Sequence, residues 1–193
     1  MDDIRIRRAL ESDRVPLARL LAYGFAQDFS ALCKDLDRVA RALESGLRLE
    51  RFFVAACGST LLGAAACTDR TGRAVEVLPA DLKKQLGWPR GWLAAQIFRK
   101  EFAAPLTYPP DTGFIEFVTV AADARRHGIA TRLLEGVCAQ TPYTAYELDV
   151  IDRTPGAKAC YERFGFVAYR KIEERHSRTK GFTSRWLMRY EKP

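Results

Sequence analysis

Apolar residues recur along the chain in two alternating periods. Residues 3–9 set Ile4 and Ile6 against Arg5 and Arg7, the period-two pattern of a half-buried strand. The period then lengthens. Val15, Leu17, Leu20 and Leu21 predict a helix to about Phe25, with Ser12 placed to cap it. Leu32, Leu36, Val39, Ala40 and Leu43 share one face of a second helix over residues 29–43. Short apolar runs at 51–57 and 61–68 meet at Gly58-Ser59, which predicts a hairpin. Gly63 and the Ala64-Ala65-Ala66 run suit close packing on it. Residues 79–102 are again helical, interrupted by Gly87-Trp88-Pro89, and form a helical insert. Its Trp88, Trp92, Phe98 and Phe102 are read as local core in preference to a pocket lining. A proline-rich loop over 105–111 leads out of it.

The second half carries the sharper pattern. Residues 114–121 are apolar and β-branched at the length of a buried strand, and Ile129, Leu133, Leu134 and Val137 follow at helical spacing. Between them lies Arg125-Arg126-His127-Gly128. Tyr146, Leu148 and Val150 predict another buried strand over 145–151, with Asp149 and Asp152 at or near its end. Pro155 opens a helix carrying Ala157, Cys160, Tyr161 and Phe164, and Gly165 closes it. A strand over 166–172, a basic loop over 173–181 and a last strand over 182–190 complete the chain. Strand and helix periods alternating over one core argue for a mixed α/β sheet, and 193 residues suit one domain.

Composition narrows the function classes. With 48% hydrophobic and 28% charged residues the chain reads as globular, and no apolar run reaches the ~18 residues of a membrane span. The charged start, MDDIRIRR, is unlike a secretory signal, so a cytoplasmic protein is expected. Five widely spaced cysteines without a CxxC pair, mostly inside apolar segments, read as free buried thiols. Two histidines and no acidic cluster of ligand spacing argue against a metal site. The net charge of +7 is concentrated from Arg163 onward, where nine Lys/Arg meet three Glu. Such a face either attracts an anion or is a solvated surface. The 125–130 turn has a more specific use. A glycine lets backbone N–H groups approach a ligand, the helix behind it directs its positive end there, and two arginines add charge. These are the needs of a pyrophosphate site.

Two motifs together resemble the GCN5-related N-acetyltransferase (GNAT) superfamily. The coenzyme A motif of that family, Gln/Arg-x-x-Gly-x-Gly/Ala, reads here Arg125-x-x-Gly128-x-Ala130. The later Asn-x-x-Ala-x-x-x-Tyr-x-x-x-Gly-Phe reads Thr154-x-x-Ala157-x-x-x-Tyr161-x-x-x-Gly165-Phe166, with Thr154 where asparagine is usual. The resemblance covers roughly residues 113–167. It implies a single, mostly antiparallel mixed sheet of about 6–7 strands flanked by helices, and acetyl-CoA as co-substrate without a metal. It implies an N-acetyltransferase acting on a small-molecule or peptide amine. A homodimer would be in keeping with the family, although no exposed stripe demands one. The acceptor walls would come from residues 12–45, 79–112 and 174–183.

The resemblance also implies a site. Val118 and Val120 would offer main-chain groups to the pantetheine arm, with Thr119 between them facing the other way. Arg125, Arg126, His127, Gly128, Ile129, Ala130 and Thr131 would form the pyrophosphate loop. Thr154 would contact the cofactor with less reach than asparagine. Tyr161 is the candidate general acid for the departing thiolate, against the alternative of a core tyrosine. Glu116, mid-strand in an apolar run, is the candidate general base, against the alternatives that its strand face meets solvent or that it pairs with an arginine. Two competing readings remain: a coenzyme A-binding module without turnover, and a basic nucleic-acid-binding domain. The second lacks any known nucleic-acid motif, and the G-x-G-x-x-G of a dinucleotide fold is absent.

Overall fold

The computed structural model describes residues 4–30, 33–102, 105–175 and 181–193. Strand β1 (Arg5–Arg8) leads through a short 3-10 turn into α1 (Arg14–Gly24), α2 (Ala26–Ser30) and α3 (Leu36–Leu43). The hairpin β2 (Phe52–Cys57) and β3 (Thr60–Thr68) follows, then α4 (Pro79–Leu86) and α5 (Arg90–Phe102). The second half is β4 (Thr112–Val120), α6 (Ile129–Gln140), β5 (Ala145–Ile151), α7 (Pro155–Phe164), β6 (Val167–Glu173) and β7 (Ser184–Glu191).

Two expectations near the start are corrected. Ser12 does not cap α1. It lies inside the 3-10 turn, where Asp13 is held by Arg7 at 2.5 Å and accepts from the Leu10 amide at 2.7 Å. The helix expected over 29–43 is two helices, because Asp35 adopts an extended backbone and its carboxylate accepts from the Arg38 amide at 3.1 Å, which starts α3 afresh. Leu32 lies outside the described residues.

The seven strands form one sheet in the order β1-β2-β3-β4-β5-β7-β6. Each neighbouring pair is antiparallel except β4 with β5, which run parallel. The sheet separates two apolar clusters. On one face Leu17 and Leu21 of α1, Val39 and Leu43 of α3, Leu82 of α4 and Phe98 of α5 pack on Phe52, Val54, Ala64 and Ala66. On the other face Leu133, Leu134 and Val137 of α6 and Tyr161 of α7 pack on Phe53, Ala65, Ile115, Tyr146, Leu148 and Val150. Burying each such side chain contributes about 1.5–3 kcal/mol. The small residues of β3 are used for contact, since a Cβ on Gly63 would come within 3.1 Å of Ile129 and Leu133. The insert aromatics divide. Phe98 is buried and meets Phe29 edge-on, whereas Trp88 and Trp92 are 77% and 50% exposed. The Phe102 side chain is outside the described residues. Cys57, expected to be buried, is exposed at the end of β2. Among the described residues no helix is long and apolar enough to cross a membrane.

Candidate active site

Strands β4 and β5 pair only at their starts, through Thr112↔Ala145, Gly113↔Tyr146 and Phe114↔Glu147. Beyond Phe114, β4 keeps its pairing with β3 alone, so a fork opens in the middle of the sheet. A bulge shapes it. Three residue steps on β4, from Glu116 to Thr119, oppose two on β3, and Phe117 absorbs the difference at φ +57°. The Phe117 ring is anchored edge-on against Phe25 at 5.9 Å.

Main-chain direction on β4 follows from the pairing. The Ala121 amide donates to the Leu62 carbonyl at 2.8 Å, so Val120, opposite Gly63, turns its own N–H and C=O toward the fork. The Val120 carbonyl accepts from Arg125 Nε at 3.2 Å. Val118 lies in the bulge, half-buried against the α6-side cluster. Thr119 does not join them. Its side chain is buried under the end of α1, where a Cβ on Gly24 would collide with Thr119 Oγ1. Thr119 is therefore a packing residue, which corrects its place among the coenzyme contacts.

At the open end of the fork the chain turns through Arg126 at φ +67° and Gly128 at φ +73° into α6. Left-handed residues in a turn bring successive N–H groups onto one concave side. Gly128 is the cap of α6 and gives it no side-chain partner. The first helical bond runs from the Arg132 amide to the Gly128 carbonyl at 3.0 Å, so the amides of Ile129, Ala130 and Thr131 precede the ladder. A Cβ at Gly128 would meet nothing within 4 Å. The cradle is open, positive and lined by backbone donors, which fits an anion of pyrophosphate size. Arg125, Arg126 and His127 are exposed around it, and His127 Nδ1 lies 3.4 Å from the Ala124 carbonyl.

Tyr161 sits on α7, buried and edge-on to Phe166 at 6.1 Å. Burial, with Cys160 and Asp149 nearby, pushes its hydroxyl above the ordinary tyrosine range. It is therefore a protonated donor. The Cys160 thiol is 3.9 Å from Thr131 Oγ1, which ties α7 to the start of α6. Thr154 is exposed and its hydroxyl donates to the Ile151 carbonyl at 3.0 Å. Its hydrogen is spent on a local turn, a correction to its expected cofactor contact.

Glu116 is corrected more fully. Its Oε2 receives Arg73 Nε at 3.0 Å and Nη2 at 2.5 Å, and its Oε1 receives the Ala74 amide at 3.0 Å. With both its oxygens taken by these donors, Glu116 clamps the loop after β3 to β4. The sequence reading passed over Glu147. It lies on β5 among the apolar Tyr146, Leu148 and Val150, and with Asp149 it points to the opposite face. The signal was available as two acids two residues apart in a strand, which puts both on one side.

A profile described as "Acetyltransferase (GNAT) family" matches residues 23–166. No curated protein matches the chain. Solved structures share the fold at low identity. An N-acetyltransferase from Staphylococcus aureus Mu50 is 19% identical with a TM-score of 0.64, over 96% of this chain and 100% of that one. A ribosomal-protein-alanine N-acetyltransferase from Brucella melitensis is 14% identical with a TM-score of 0.58, over 97% and 99%. The yncA protein of Salmonella typhimurium, solved with its cofactor acetyl-CoA, is 11% identical with a TM-score of 0.60, over 99% and 95%.

Proposed function

The chain belongs to the GNAT acetyltransferase family, and from that premise we propose that it transfers the acetyl group of acetyl-CoA to a primary amine by direct attack in a ternary complex. The observation that carries this is the fork between β4 and β5 leading into the left-handed cradle at Gly128. The fork offers unpaired β4 backbone to an extended chain, and the cradle offers amides to a pyrophosphate.

The bound thioester supplies an activated acyl carbon. The chain supplies the rest. Amides of Ile129, Ala130 and Thr131 hold the anionic end. The backbone of Val118 and Val120 aligns the arm, and Val120 gives its N–H more freely than its carbonyl, which Arg125 already occupies. The acceptor ammonium releases one proton to water, and its nitrogen forms the new C–N bond as the C–S bond breaks. Tyr161, kept protonated by burial, gives its proton to the leaving thiolate and recovers the one shed by the acylated nitrogen through water. No single base is required, in keeping with the role of Glu116 as a clamp.

Calorimetric titration with acetyl-CoA tests the reading, with Gly128→Glu as control. The substitution fills the cradle with bulk and negative charge. Micromolar binding that the variant loses supports the proposal. A folded wild-type protein that binds no acetyl-CoA overturns it.

A further inference from the structure

Glu147 is a carboxylate that the fold leaves half used. It is the last β5 residue paired with β4 and is 4% exposed. Arg189 Nη1 lies 3.2 Å from its Oε1, but Arg189 is shared with Glu191. Oε2 is buried and receives a hydrogen bond from none of the described residues. A buried carboxylate oxygen left without a donor calls for a partner.

The surroundings of that oxygen say what kind of partner. Phe114 is the cross-strand neighbour of Glu147, and Tyr108 stacks on Phe114 with ring centres 5.5 Å apart and planes at 14°. On the other side, β7 links Glu147 through Arg189 to Val167 of β6, and Tyr169 follows two residues on. Burial first and Glu147 next raise Tyr108, to about 12, and Tyr169 likewise moves above its usual range. Two electron-rich rings beside a buried carboxylate make a cation site. An open groove of about 440 Å³ lies beside it, lined by Gly165, Val167, Tyr169, Glu191 and the Arg189 that pairs with Glu147. Asp149 stands two residues further along β5, past the last β4 partner, about 6–7 Å away by strand repeat. Arg185 holds its Oδ2 at 3.0 Å, and it remains about a quarter exposed, 28%.

We propose that Glu147, walled by Tyr108 and Tyr169, binds a positively charged group of the acceptor, and that the acceptor is a small amine carrying a second cationic centre. This rests on the acetyltransferase reading above. One ammonium is held at Glu147 Oε2. The reacting nitrogen lies a few bonds away, at the level of Asp149 inside the fork.

The test is Glu147→Gln, which keeps the shape and removes the charge. Acetyl-CoA affinity is measured first on both proteins by calorimetry. Acetyl transfer is then followed with 1,4-diaminobutane, spermidine and, as the single-charge control, n-butylamine. The expected result is unchanged acetyl-CoA affinity and at least a tenfold preference of the wild type for the diamine over butylamine in kcat/KM. In the variant that preference collapses, chiefly through a higher KM for the diamine. A diamine KM unchanged by the substitution, or a wild type indifferent to the second charge, overturns the proposal. If the folded wild type binds no acetyl-CoA, the acetyltransferase reading fails separately. Titration of the coenzyme-free protein with spermidine then decides the cation site alone: saturation that Glu147→Gln abolishes supports it, and no saturation overturns it.

Discussion

Phe114 and Glu147 are the last neighbours that β4 and β5 share across the sheet. One step further on the two strands part, and nearly every group of interest lies along that divergence. Val118 and Val120 line one side, Glu147 and Asp149 the other, the Gly128 cradle stands at the wide end and Tyr161 lies behind β5. The proposed function would bring coenzyme and acceptor together at this single break in hydrogen bonding.

Tyr161→Phe should lower kcat about 10–100-fold and leave acetyl-CoA affinity unchanged, because only the proton donor is removed. Burial raises the hydroxyl above the ordinary tyrosine value of about 10. Its ionisation should therefore produce no falling limb in the wild-type kcat profile below about pH 10. Steady-state rates from pH 6 to 10 check both points.

Gly128→Ala and Arg126→Gly should act in opposite directions on stability. Gly128 is at φ +73°, and a Cβ there costs about 1 kcal/mol of backbone strain. Arg126 already bears that strain at φ +67°, so Arg126→Gly should hold or raise the urea midpoint even as it removes an exposed guanidinium from the cradle. Equilibrium urea unfolding of both variants reads the difference.

Glu116→Gln should be a stability variant. Glu116 and Arg73 side chains are only 7% and 15% exposed, at 2.5 Å. Removing one charge of such a pair costs about 3–5 kcal/mol. At saturating substrates the rate per folded molecule should stay within a few-fold. A rate loss above about a hundredfold with an unchanged urea midpoint would reinstate Glu116 as the base.

Asp69 sets an acid limit. Burial alone would lift its pKa, but hydrogen bonds from Thr71, Arg51 and Tyr143 overcome it and hold the carboxyl well below the usual range. A folded pKa below the unfolded one means stability present above about pH 4 and lost as pH falls further. Thermal melts should show Tm dropping below pH 4 in the wild type. Asp69→Asn should start lower and change less over the same window.

The strand, the basic turn and the helix over residues 114–137 were legible because their signals are local, two periods and a glycine between them. The Thr154 to Phe166 motif was legible for the same reason. What escaped the sequence depends on distant partners. Glu116 looks like a poised base until Arg73, 43 residues earlier, is seen to close on it. Thr119 was expected to face away from Val118 and Val120, but only the approach of Gly24 shows what it packs against. Glu147 was hidden by its apolar neighbours, since period two places it on the face opposite theirs. Asp35 broke a continuous apolar stripe with a capping bond that outweighed the period.

The fork makes β4 an interior strand for its first three residues and an edge strand beyond them. An exposed edge ordinarily invites another sheet to dock, the usual beginning of aggregation. Here the edge lies in a wedge whose other wall is β5. A strand that brings neighbours of its own is too broad to follow it in, whereas a lone extended filament is not. Under the proposed function the opening would thus filter what the edge recruits: a thin, single-file guest such as a pantetheine arm would fit it, and the flank of another protein molecule would not.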